Sequence, residues 1–352
     1  MGTHTSIIHR LQSMLDQEKG RHAARAVSVA IRIETVSIAS VLSREDYKEK
    51  PPFDLHARFL VYNISKTFTA AAVLRLAAAE RLHLDDPLSR WLPDIPNASR
   101  ITIRHCLQHT SGLPDYGALP EYHAAVRRGD RPWSFEEFME RTNAGELLFA
   151  PGQGWSYSTI GYMVLRRLLE TACGTSFANL LRSEIFEPLN LKSTSVPARR
   201  ADLQDITFGP SVYLGGNAAP LAVSEIYDPA WLPAGVIAST AAETAQFYDA
   251  LLAGKLFPRE FLNQMCAAVR AADAPGHPSF YNPGYGLGLM ITDSPCGMIY
   301  GHTGSGPGCS AAAFHFKKNG TSITVTILSD GENVSQTEHM AILACTMLAE
   351  SD

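Results

Sequence analysis

No charge of one sign dominates this chain of 352 residues: 30 Lys and Arg stand against 35 Asp and Glu, a net charge of −5, with 18% charged and 45% apolar residues. That balance excludes the basic surface of a nucleic-acid binder and the charge-rich, core-poor composition of a disordered chain. Long apolar runs are missing too. No window reaches about eighteen apolar residues, so no membrane span is expected. The opening Met1-Gly2-Thr3-His4-Thr5-Ser6-Ile7-Ile8-His9-Arg10 has no basic flank leading into an apolar stretch, and no signal peptide is visible. Cysteine is sparse and scattered, at Cys106, Cys173, Cys266, Cys296, Cys309 and Cys345, with no C-x-x-C and no cluster at zinc-ligand spacing. These read as reduced thiols in a cytoplasmic protein without a metal, although a mature secreted form stripped of its leader would look the same. Internal repeats and low-complexity tracts are absent. The length fits one large domain or two interleaved ones, with room for a sizeable core.

What is present begins with helical spacing of Ile7, Ile8, Leu11, Met14 and Leu15 behind caps at Thr3 and Thr5, ending at Gly20. Alternation over Val27, Val29, Ile31 and Ile33, followed by the β-rich run Thr35 to Leu42, predicts a hairpin. Ser65 to about Arg81 is Ala- and Leu-rich without Gly or Pro, which predicts a long helix. Further helices are expected at Ser134 to Thr142, Gly161 to Cys173 and Phe177 to Ile185. Ser310 to Phe316 and Thr321 to Leu328 flank Asn319-Gly320, a dipeptide suited to a tight hairpin turn. A helix from Gln336 to Ala349 closes the chain. Strands at both ends with helices between predict an α/β (α+β) fold: an antiparallel sheet built from both chain ends, flanked by helices, with a mostly helical inserted subdomain. The expected division is 1–62 with 220–352 for the sheet and 63–219 for the helices, interleaved around a cleft.

Three segments carry chemistry: Tyr62-Asn63-Ile64-Ser65-Lys66-Thr67-Phe68-Thr69, Pro151-Gly152-Gln153-Gly154-Trp155-Ser156-Tyr157-Ser158-Thr159, and Tyr300-Gly301-His302-Thr303-Gly304-Ser305-Gly306. In order and spacing they resemble the motifs of the serine β-lactamase and penicillin-binding protein superfamily, above all its class C-related esterases, D-peptidases and transacylases. Flanking text matches as well, in Leu107-Gln108-His109-Thr110-Ser111-Gly112-Leu113-Pro114, Pro188-Leu189-Asn190-Leu191 and the run from Pro233 to Thr240. The resemblance implies a β-lactamase/transpeptidase-like fold and acyl transfer without a cofactor. It assigns proton transfer to Lys66 and Tyr157, and help at the leaving group or a substrate carboxylate to His302, whose charge would change near neutral pH. An oxyanion hole would come from the N–H groups of Asn63 and Ser305, and substrate contacts from Thr159, Thr303 and Gly304.

One position departs from the family pattern. Asn63 stands where the nucleophilic serine of S-x-x-K belongs, and no other lysine has a serine three residues before it. A carboxamide is a very poor nucleophile, so an acyl-enzyme through this side chain is not expected. The set Lys66, Tyr157 and His302 favours a hydrolase or acyltransferase for an ester or amide, in a form inactivated by Ser→Asn. A natural pseudoenzyme that binds an acyl or peptide ligand, and a non-covalent mechanism using Tyr157 or Lys66, remain as alternatives. Taken singly, each motif also has a bland explanation as a cap, an interface tyrosine or a turn. Ser65, roughly 200° around the helix from residue 63, is expected to point away from the cleft. Ser158 and Ser305 are read as positioning groups, His105 and His109 as structural histidines at a helix end, and Cys309 as a buried inert thiol. The pocket residues near Asp115 and Tyr116, and the stretch Gly209 to Pro229, follow no recognisable pattern, and the oligomeric state is open.

Overall fold

Alternating apolar residues at both ends of the chain fold into one sheet. In the computed structural model, which describes residues 2–17, 23–45, 52–215, 221–271 and 281–351, the strands are β1 (Ala26–Ile33), β2 (Val36–Ser43), β3 (Phe59–Leu60), β4 (Ala238–Ser239), β5 (Val269–Arg270), β6 (Tyr281–Tyr285), β7 (Met290–Ser294), β8 (Gly297–Gly306), β9 (Cys309–Lys318) and β10 (Thr321–Ser329). Eight of them form an antiparallel sheet in the order β2-β1-β10-β9-β8-β7-β6-β5. The pair β3 and β4 stands apart.

β1 pairs with β2 on one side and with β10 on the other, so the first hairpin is completed by the last strand. The Asn319-Gly320 turn forms as expected: both residues have positive φ, 49° and 87°, which the two central positions of a tight hairpin turn require.

The helices are α1 (Gly2–Gln17), α2 (Ser65–Ala78), α3 (Ile103–Leu107), α4 (Pro120–Arg128), α5 (Phe135–Arg141), α6 (Thr159–Cys173), α7 (Phe177–Leu181), α8 (Val212–Gly215), α9 (Val223–Ile226), α10 (Ala241–Leu252), α11 (Arg259–Met265) and α12 (Val334–Glu350). Thr3 and Thr5 fall inside α1 rather than capping it. Gly20 and residues 216–220 lie outside the described residues. Ser134 caps α5 in a reciprocal pair with Glu137, whose backbone N–H it receives at 3.1 Å. The helix expected at Phe177 to Ile185 forms as α7 and continues into a wider π-type turn over Arg182–Phe186.

Alternation along β1 and β9 sorts the core into two layers. Val27, Val29, Ile31, Phe314 and Phe316 meet α1 and α12 through Ile7, Leu11 and Met340. Ala30, Ala311 and Ala313 face the helical side, together with α2 and α10. Small residues on that face let the helices approach the sheet closely. α2 is buried almost all round, as an apolar central helix must be, and its N-terminal end is aimed at β8. Among the described residues no helix is long and apolar enough to cross a membrane.

Candidate active site

The segment before α2 is a single 3-10 turn, Tyr62–Ile64, and it opens on a left-handed residue. Tyr62 has φ 45°, a conformation a bulky side chain adopts only when its surroundings impose it. Its hydroxyl donates to the Pro307 carbonyl at 2.7 Å, which ties the turn to the end of β8. The glycines of the third motif make room for this contact. A Cβ on Gly304 would lie 2.5 Å from the Val61 carbonyl oxygen and 2.7 Å from the Asn63 nitrogen, and one on Gly306 would lie 2.3 Å from the Tyr62 ring. Only bare backbone fits there. β8 therefore runs directly against the backbone of residue 63.

Lys66 is one helical turn on from Asn63, and its Nζ donates to Asn63 Oδ1 at 2.9 Å. The lysine is 3% exposed, and burial lowers its pKa to about 8, with the Asp115 carboxylate pulling the other way. Its Nζ also lies 4.8 Å from the centroid of the Tyr157 ring. The Tyr157 hydroxyl is buried and has no hydrogen-bond partner among the described residues. Burial first, then Tyr285 and Asp115, push its pKa well above the usual phenol value.

Asn63, Tyr157, Thr159 and Ser305 all line one cavity of about 390 Å³. A smaller cavity, of about 20 Å³, adjoins Asn63, Lys66 and Thr159. Thr303 and Gly304 line neither: the Thr303 hydroxyl approaches Met290 Sδ at 3.9 Å, and Gly304 is buried against the turn.

His302 differs from expectation. It is 2% exposed, lines neither cavity, and is engaged by the protein on both nitrogens. Nδ1 lies 2.6 Å from the Thr303 carbonyl, which can only accept, so Nδ1 carries the proton and Nε2 accepts from the Tyr285 hydroxyl at 3.0 Å. Burial, then Lys66, lowers its pKa to about 3. The ring is neutral throughout the physiological range, which corrects the expected titration near neutrality, and its donor is already in use.

Ser65 points elsewhere, as its angle on the helix requires: its Oγ accepts from the Ile237 N–H at 2.9 Å, although the residue borders the small cavity. Ser158 caps α6, accepting from Gly161 N–H at 3.0 Å and donating to the Pro114 carbonyl at 2.8 Å. His105 is structural, closing a capping box with Thr102. Cys309 is fully buried, with its thiol against the Leu60 carbonyl and its pKa pushed up by burial.

Three site residues escaped the sequence reading of their roles. Asp115 lines the cavity and uses both oxygens, Oδ1 on Thr159 N–H at 2.6 Å and Oδ2 on Gly117 N–H at 3.1 Å. Glu332 braces the opposite wall, accepting from the N–H groups of Val212, Tyr213 and Gly308. Tyr285 joins His302 to the aromatic cluster around Tyr157. A carboxylate beside a G-L-P turn was the one available signal for Asp115. Glu332 and Tyr285 carry none, because their partners are distant in sequence.

The chain as a whole is similar to several known proteins. Penicillin-binding protein 4* of Bacillus subtilis (strain 168) is 28% identical over 290 residues, 76% of this chain, which spans only 60% of that protein's length. Esterase EstB of Burkholderia gladioli is 26% identical over 343 residues, 85% of this chain and 86% of the esterase. Among solved structures, a D-stereospecific amidohydrolase from Streptomyces sp. superposes with TM-score 0.79 at 28% identity, covering 96% of this chain and 98% of the other. The D-amino acid amidase from Ochrobactrum anthropi SV3 shares the fold, with TM-score 0.80 at 22% identity over 98% and 100% of the two chains. The sequence model described as Beta-lactamase matches residues 11–344, and with nearly its whole length so matched, the chain belongs to the beta-lactamase family of serine hydrolases.

Proposed function

We propose that the cleft is an acyl-transfer site for a small ester or amide, set between a sheet unit (1–62 and 220–352) and a helical unit (63–219), with residue 63 at the point of attack. The observation that carries this is the contact of a buried Lys66, its pKa lowered to about 8, with the side chain of residue 63 at 2.9 Å. A lysine so placed is a general base for whatever residue 63 presents. With serine there, Lys66 would take the hydroxyl proton. Tyr157, whose pKa is raised, would keep its own proton until the leaving group needs it. The N–H groups of residues 63 and 305 would hold the oxyanion. His302, neutral and buried, would hold Tyr285 beside the Tyr157 ring rather than bind a substrate carboxylate. As the chain stands, Asn63 has no proton that Lys66 could remove and occupies the base as a hydrogen-bond acceptor, so the site binds its acyl substrate without covalent turnover.

The test compares the chain with Asn63→Ser on activated esters and on matched D- and L-configured amides, the pairing being prompted by the D-stereospecific amidohydrolase of Streptomyces sp.. An acylating phosphonate should add its mass at residue 63 in the serine form alone. Hydrolysis by that form should climb about tenfold per pH unit below 8 and level off above it, as the neutral fraction of Lys66 grows. An unlabelled and inactive serine form would overturn the proposal; turnover by the asparagine form would replace it with a non-covalent mechanism.

A further inference from the structure

His109 follows the end of α3, its N–H still donating to the Cys106 carbonyl, yet its own carbonyl and its Nδ1 both face the second motif. The residue is fully buried and left-handed, at φ 60°. Histidine tolerates that region better than most side chains, but it is still an imposed conformation. The Ser156 N–H donates to the His109 carbonyl at 3.0 Å, and the Ser158 N–H donates to His109 Nδ1 at 3.0 Å. Tyr157 lies between these two donors in the chain. Its ring also lies against the imidazole, with centroids 4.3 Å apart and planes tilted by 36°. One residue thus grips the backbone before Tyr157, the backbone after it, and the ring itself.

The second of those contacts fixes the tautomer. An N–H can only donate, so Nδ1 must be the unprotonated nitrogen and the proton of the neutral ring sits on Nε2. Nε2 has no partner among the described residues, although the imidazole packs on Tyr285 with ring centroids 4.5 Å apart. A buried donor left unpaired works against stability, and a leucine of similar size would avoid that cost. Burial first, then the charge of Lys66, hold the imidazole well below its usual pKa, which keeps Nδ1 free to accept.

We propose that His109 is the positioning residue for Tyr157, setting the direction of the phenol through the Ser156–Ser158 backbone as the Nδ1-acceptor tautomer. The claim rests on the acyl-transfer reading above for its kinetic consequence, and on geometry alone for the tautomer. It is distinct from chemistry by His109, which reaches neither cavity.

The experiment has two arms. In the chain with Asn63, ¹⁵N-histidine spectra should show His109 with a bare Nδ1 and a protonated Nε2, without titration between about pH 5.5 and 8.5. A protonated Nδ1 overturns the proposal. In the Asn63→Ser background, His109→Leu should lower kcat about 100-fold with KM within about threefold. His109→Asn, whose Oδ1 replaces Nδ1 and which also accepts positive φ, should recover most of that loss. A folded His109→Leu protein with unchanged kcat overturns the proposal, as does an equal loss in the leucine and asparagine variants. If Asn63→Ser is itself inactive, the acyl-transfer reading falls separately. Positioning is then read from the Ser158 amide and Tyr157 ring resonances, which should move in His109→Leu and return in His109→Asn; resonances that stay fixed in both sink it.

Discussion

At the scale of single residues, the site depends on atoms that are not there. Gly304 is required because its Cβ would press on both Val61 O and Asn63 N, backbone atoms that cannot swing aside. Gly304→Ala should therefore destabilise the protein by about 1–3 kcal/mol through overpacking. In the Asn63→Ser background it should also cut kcat by at least about 100-fold, by spreading the N–H groups of residues 63 and 305. Gly320→Ala is the matched control. Nothing lies within 4 Å of that Cβ, and only the positive φ of 87° opposes it. Chemical denaturation should show a loss of about 1–2 kcal/mol there, with activity untouched. Equal kinetic effects from the two alanines would refute this account of the third motif.

At the scale of elements, the first turn of α6 carries Thr159 to the cavity, and two side chains secure it. Ser158 caps the helix while Asp115 accepts the Thr159 N–H. Asp115→Ala should cost about 1–2 kcal/mol, whereas Asp115→Asn retains an acceptor and should cost less. Both variants remove a charge that raises the Lys66 pKa, so the shoulder of the pH–rate profile in the Asn63→Ser background should move below 8 in each. A shoulder that stays in place would remove Asp115 from the electrostatics of the site. The helices and end hairpins were legible because periodic burial writes them into the sequence, as in β1 and α2. β8 was not. Four glycines in Gly297–Gly306 erase alternation; the strand is held by pairing with β7 and β9, and only Gly304 and Gly306 are set against the 3-10 turn of residue 62. The third motif could be recognised by its residues while its strand could not. His302 was legible as part of the cluster, but its neutrality comes from burial and its Nε2 is occupied by Tyr285, a partner no local pattern reveals. His109, read as a helix-end histidine, does sit at a helix end; the contact with Tyr157 is invisible without the fold.

At the scale of the whole molecule, buried histidines govern the response to acid. His302, with a pKa lowered to about 3, His315, lowered to about 4, and His109, also lowered, are neutral when folded and would take up protons below about pH 6.5 once unfolded. Their folded values lie below their unfolded ones, so stability falls as pH drops through that window. Glu338 opposes them, since burial raises its pKa to about 7 and the folded state binds a proton there that the unfolded state takes up only near the usual 4.5. Three protons gained on unfolding, set against the one that Glu338 loses, leave a net excess of about two in the unfolded state near pH 5.5, so stability falls by roughly 3 kcal/mol per pH unit there. Urea midpoints measured through that pH should drop steeply; a flat profile would show that these imidazoles are not buried as neutral rings. The sheet order has a different consequence, in time rather than in energy. Val27 pairs with Ser329, so a chain emerging from the ribosome carries the β1–β2 hairpin with the inner side of β1 open until β10 has been made. Contacts so distant in sequence slow folding and prolong exposure of an unpaired strand, which makes β1 the segment most in need of chaperone cover during synthesis.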